Sequence, residues 1–183
     1  MGAGVPDLGN IGILPFTNKK NEAPHVSFFK HYGYRSRFEK ASEKASPGYY
    51  AVHLDKYNVN VEITASLHVG VHKYTFNSHE KEYSNILFDI SHAVHPNACK
   101  FSMINVTGNN EVSGYILNAG SLSGRAYFAR FGGGVKTYFV AQFDQPFTSF
   151  GTWNNDTTTF NTERSGVGIH NGAFVGFGHA KQV

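Results

Sequence analysis

The stretch PGYYAVHLDKYNVNVEITASLHVGVHKYTF, residues 47–76, decides the fold. Val59, Val61, Ile63, Ala65, Leu67 and Val69 hold the odd positions, with Asn60, Glu62, Thr64, Ser66 and His68 between them. Successive side chains of a strand point to opposite faces, so an unbroken period of two gives one face to a core and the other to water. A helix would scatter the same residues around its axis. After Gly70 the large residues Tyr74 and Phe76 fall on even positions, and a glycine at a change of phase reads as a bulge or bend. These residues predict one long half-buried strand with a kink near Gly70. Upstream, Pro47-Gly48 is a turn signal, and Tyr50, Val52 and Leu54 alternate with Tyr49, His53 and Asp55. With the break at residues 56–58, this forms a hairpin leading into the long strand.

The rest of the chain agrees with this pattern. Its 183 residues include 16 Phe, 10 Tyr and 20 Gly, and only 16% are charged. Aromatics favour strands and glycines supply turns, so an all-β domain is expected rather than a helical bundle. Residues 85–92 place Ile86, Phe88 and Ile90 on one face. Residues 99–106 and EVSGYIL flank the tight turn Thr107-Gly108-Asn109-Asn110, and RAYFARF (125–131) pairs across Gly132-Gly133-Gly134 with VKTYFVAQF (135–143). On the last arm Lys136, Tyr138, Val140 and Gln142 share a face. Residues 35–45 predict a loop or a single helical turn. Residues 144–172, with Pro146 and the polar run 154–162, read as a long surface loop. About eight strands spaced roughly 8–15 residues apart, with no helix long enough for a crossover, point to an antiparallel sandwich. Its expected extent is residues 35–183, preceded by an N-terminal extension over residues 1–34, and its last strand, begun by Phe174, reads as truncated.

The net charge of +3 is small and its lysines and arginines are dispersed, which does not suggest nucleic acid as a partner. No apolar run reaches the 18 or so residues of a membrane helix, and Met1 does not open a charged-then-apolar leader. The compartment is therefore not readable, and the single Cys99 has no partner for an intramolecular disulfide. Asn105-Val106-Thr107 and Asn155-Asp156-Thr157 are sequons, making Asn105 and Asn155 candidate glycosylation sites in a secreted protein.

Four segments, ASPGYYAVHL (45–54), VEITASLHVGVHKYTF (61–76), NILFDISHA (85–93) and GVKTYFVAQFDQPF (134–147), resemble, in order and spacing, the N-terminal domain of glycoside hydrolase family 92. That family comprises exo-acting, calcium-dependent, inverting α-mannosidases, often secreted or in the secretory pathway. The resemblance implies a twisted super-sandwich of the galactose-mutarotase type, followed in the family by an (α/α)6 barrel. It also implies that the general acid, the general base and the calcium ligands lie mainly on that barrel, with the mannose site between the domains. The chain ends before any barrel sequence, so a fragment is expected: inactive alone, with no cofactor of its own, and calcium belonging to the missing domain. Lys40 stands where family members often have histidine, and residues 1–34 do not match the family's N-terminal segment.

The residues themselves point the same way. Inverting hydrolysis needs two carboxyl groups about 6.5–9.5 Å apart, one protonating the leaving oxygen and one activating water. Glu62, Asp89 and Asp144 on predicted strands, and Glu39, Glu43, Glu80 and Glu82 in loops, come without recognisable partners, so no catalytic residue is assigned. Asp89, an acid inside ILFDIS, must face water or be paired. Trp153, the only tryptophan, lies in FGTWNND and is the aromatic best suited to stack on a sugar, although a core or interface anchor is the commoner role. Trp153 and Asp89 are the expected carbohydrate contacts. His68 and His72 have a spacing that brings ligands together on a helix but not on a strand, and no metal site is expected. The competing readings are a free-standing carbohydrate-binding module and a non-functional truncated product. An interrupted sandwich leaves an open strand edge and an uncovered face. The isolated chain is thus expected to self-associate in sedimentation velocity; a monodisperse monomer with a sharp, reversible thermal transition is the contrary result.

Overall fold

The structure, a computed structural model, describes residues 11–19, 33–77, 82–92, 99–118, 136–155 and 157–183. Its strands are β1 (Gly12–Lys19), β2 (Lys44–Ser46), β3 (Tyr49–Leu54), β4 (Val59–Ala65), β5 (Gly70–Phe76), β6 (Glu82–Asp89), β7 (Cys99–Thr107), β8 (Glu111–Asn118), β9 (Lys136–Gln142), β10 (Ser149–Asn154), β11 (Thr157–Thr158), β12 (Ser165–Gly168) and β13 (Asn171–Gly176). Among the described residues the only helical element is a 3-10 turn over Lys40–Ser42, the single turn expected there. The expected all-β antiparallel architecture is observed, in three sheets ordered β1-β6-β13-β10-β11, β12-β7-β8-β9 and β2-β3-β4-β5.

Residues 47–76 form a three-stranded meander rather than one kinked strand. Pro47-Gly48 turns β2 into β3 with Gly48 at φ 76°, the left-handed backbone that glycine adopts without penalty. Asn58, at φ 52°, closes the loop between β3 and β4. The chain then reverses again over residues 66–69, where the Ser66 N–H donates to the Val69 carbonyl at 2.8 Å. The odd-position rhythm thus ends at Ala65, and Leu67, 89% exposed, sits on a hairpin tip. The change of phase at Gly70 is this reversal: Val59 lies opposite Phe76 and Val61 opposite Tyr74, so even positions of β5 share the buried face with odd positions of β4.

The five-stranded sheet is covered on both faces. On one, Phe16 meets Tyr57 from the meander's loop, with ring centroids 6.3 Å apart, and also Phe174. On the other, Phe88 stacks on Phe139 of β9 at 6.0 Å. Burial from both sides explains why residues 84–90 and the whole of β13 are buried without alternation.

Three expectations are corrected here. First, residues 12–19, placed in an N-terminal extension, form β1 and pair with β6 along its full length, with Pro15 opposite Ile86. Proline lacks the ladder N–H, and β1 tolerates it as the sheet's edge strand. Second, residues 144–172 are not one surface loop, since they contain β10, β11 and β12. Third, the strand begun near Phe174 is β13, paired on one side with β6 and on the other with β10. The chain's last residues lie instead along β5, where Val183 and Tyr74 exchange both backbone hydrogen bonds. The hairpin around residues 107–110 forms as expected, with Thr107 opposite Glu111. The expected strand RAYFARF and its glycine turn lie outside the described residues.

Glycine is required where strands pass under rings. A Cβ on Gly172 would sit 2.2 Å from both the Trp153 ring and the Phe88 carbonyl oxygen. At Gly70 the nearest atom would be at an ordinary 3.4 Å. Gly172→Ala is therefore expected to cost about 3 kcal/mol, the upper end for overpacking. Gly70→Ala should stay within about 0.5 kcal/mol of the parent, as surface substitutions do. Urea denaturation of both variants measures this.

Candidate functional site

The two residues singled out as carbohydrate contacts lie on the face of the five-stranded sheet that meets the meander. Asp89 ends β6 and is 5% exposed. Its Oδ2 accepts from the Tyr34 hydroxyl at 2.6 Å, and its Oδ1 accepts from the Ser91 N–H at 3.0 Å and the Ser91 hydroxyl at 2.7 Å. Bonding of an aspartate to the backbone two residues on is an Asx turn, which ends the strand. A buried carboxylate is costly unless paired, and here every bond goes to the fold. Trp153, on β10 opposite Gly172, is 4% exposed and packed into the core. Neither residue presents a face to a sugar in solution.

Asp89 begins a polar chain that crosses the molecule. The Asn171 N–H donates to the Ser91 hydroxyl at 3.3 Å. On the sheet's other face the fully buried Asn171 side chain donates through Nδ2 to the Ser102 carbonyl at 3.0 Å and the Ser102 hydroxyl at 3.1 Å. The Ser102 hydroxyl in turn donates to the Gly168 carbonyl at 2.8 Å. Tyr34, Ser91, Asn171 and Ser102 were not singled out in the sequence; the D-x-S triplet at Asp89 was the one local signal. These bonds join the layers, and within the network only the Asn171 Oδ1 is buried without a hydrogen-bond partner.

Other acids are occupied in the same way. Glu62, on the outer face of β4, binds Lys73 at 3.0 Å and accepts from the Tyr49 hydroxyl at 2.8 Å. The Lys73 bond first, and the Tyr49 bond second, hold its carboxyl below the usual range. Glu43 accepts from the Tyr50 hydroxyl at 2.8 Å. Calcium takes six to eight oxygen ligands, and among the described residues no three His, Cys, Asp or Glu side chains converge. The His72 Nδ1 lies 2.7 Å from the Tyr74 hydroxyl.

The outer face of β7, β8 and β9 is apolar for an exposed surface. Phe101, Tyr115 and Tyr138 form a row across the three strands, with centroids 6.0 Å and 5.5 Å apart. The Lys136 ammonium lies 3.9 Å from the Tyr115 centroid, and Val140 and Val167 extend the surface. Of the sequon residues, Asn105 lies on this face and accepts from the Ser165 hydroxyl at 2.7 Å. Asn155 is exposed after β10 in a left-handed conformation, φ 41°.

The model of the glycosyl hydrolase family 92 N-terminal domain matches residues 1–183. The chain belongs to this family. Its fold is shared by the family GH92 α-mannosidase BT3965 from Bacteroides thetaiotaomicron, at 26% identity and a TM-score of 0.75, over 97% of this chain and 23% of that one. BT3965 has also been solved with mannoimidazole. The family GH92 inverting mannosidase BT2199 from Bacteroides thetaiotaomicron VPI-5482 matches with a TM-score of 0.70 and 19% identity, over 95% of this chain and 21% of that one. No curated protein sequence matches the chain. The family 92 sandwich thus spans less than a quarter of the length of these mannosidases.

Asp89→Ala would strand the buried Tyr34 hydroxyl and the Ser91 groups. Leaving several buried partners unsatisfied is expected to cost about 3 kcal/mol, against about 1 kcal/mol for Tyr34→Phe. Denaturant midpoints of the two variants test the structural role.

Proposed function

We propose that this chain acts as the non-catalytic N-terminal sandwich of an exo-acting α-mannosidase. In this reading the protein removes terminal mannose from N-glycans or mannans. The sandwich supports the sugar at its boundary with an (α/α)6 barrel, which carries the acid, the base and calcium. The observation that carries the reading is the match to the family's N-terminal domain over residues 1–183, in a chain spanning under a quarter of the related mannosidases. The engaged state of Asp89, Glu62 and Glu43 supports a scaffolding role. Carbohydrate contact by Trp153 or Asp89 requires the surface above them to open when the barrel is present.

One observation favours a second reading, a free-standing carbohydrate-binding module. The row of Phe101, Tyr115 and Tyr138 offers ring faces, although the Lys136 ammonium already covers Tyr115. Trp153, the natural stacking residue by sequence, is buried.

The isolated chain is expected to release no phenol from an aryl α-mannoside with calcium present, and to show no mannoside binding by calorimetry. Turnover that is abolished by a substitution within this chain would overturn the scaffold reading. Binding lost in a folded Tyr138→Ala variant would favour the second.

A further inference from the structure

Among the described residues, the meander's last strand is only partly covered along its outer edge. Tyr74 gives both backbone groups to Val183, at 2.6 and 3.0 Å, and the Phe76 N–H donates to the Lys181 carbonyl at 2.8 Å. The even-numbered residues of β5 therefore direct their main-chain groups away from β4. By the alternation of an antiparallel ladder, His72 and Gly70 do the same. β5 ends its sheet, and Val183 is the last residue of the row against it. An open edge of this kind pairs readily with any extended strand, and nothing in residues 70–73 blunts it: there is no proline, and the Lys73 charge is held by Glu62.

We propose that the β5 edge from Gly70 to Lys73 is a strand-addition site, filled by polypeptide continuing from Val183. Two observations carry this. Residues 181–183 already run antiparallel to β5, with Gln182 opposite Thr75, so an added strand extends an established ladder without a break. The related mannosidases are also more than four times as long as the matched region, at 23% coverage. The pattern of the occupant follows from the register. Val183 is buried beside Tyr74, so the second residue after it faces the core and covers half-buried His72. The first added residue lies beside Lys73, on the outer face. The third lies beside Val71, which is exposed together with Val69 and Leu67. An apolar residue at the second and third added positions and a polar or acidic one at the first complete the sheet. The proposal rests on reading the chain as part of a longer polypeptide, but its test does not involve mannosidase activity.

Amide hydrogen exchange of the 183-residue chain supplies the reference: Tyr74 and Phe76 protected, His72 exchanging fast. A chain lengthened after Val183 by five residues of the stated pattern is then compared with one carrying proline at the second added position. That proline removes the N–H facing the His72 carbonyl. The expected result is at least a tenfold gain in His72 protection in the first and none in the second, with the Tyr74 amide unchanged in both. Equal protection of His72 in both lengthened chains, or no gain in either, overturns the proposal.

Discussion

The polar chain from Tyr34 through Asp89, Ser91 and Asn171 to Ser102 is the constraint on which the layers depend. Apolar packing alone tolerates sliding, because one methyl group packs about as well against the next. A buried amide or carboxylate does not tolerate it: moved by one residue, its partners are lost and it pays the full desolvation cost. Asn171 can reach Ser102 only because Gly166 has no side chain, since a Cβ there would come within 2.7 Å of the Asn171 Oδ1. One network therefore sets the positions of β6 and β13 against β7, and holds the Tyr34 segment to the opposite face.

The same economy extends to the acids on the meander. Asp89, Glu62 and Glu43 are committed to tyrosines, a serine or a lysine within the fold. In a family whose members are several times longer, such a sandwich makes physical sense as a rigid partner. Among the described residues, most of its exposed apolar side chains lie on two outer surfaces: the face of β7, β8 and β9, and the hairpin tip around Leu67.

The candidate site was legible only in part. Asp89 stood out because an acid within an apolar run must be paired, but its partner Tyr34 lies 55 residues away in a segment without strand periodicity. Trp153 read as a loop residue because Gly151 and polar residues surround it. Gly151, and Gly172 on the neighbouring strand, are there for close packing: a Cβ on Gly151 would meet Phe174, and one on Gly172 would meet Trp153 itself. A small residue beneath a ring and a small residue in a turn look alike in one dimension.

By itself the sequence determined the strand content, the turns at Pro47-Gly48 and residues 107–110, the inward and outward faces of β4 and β9, and the family. Each of these rests on near neighbours: alternation, a glycine at positive φ, or the order of motifs. Only the tertiary structure decided that the chain reverses over residues 66–69, because Leu67 and His68 turn without positive φ and carry no glycine or asparagine to mark it. Only the tertiary structure placed β1 on β6 and β13 between β6 and β10. Backbone hydrogen bonds are indifferent to side-chain identity, so which distant strands pair is settled by burying both faces of the central sheet at once.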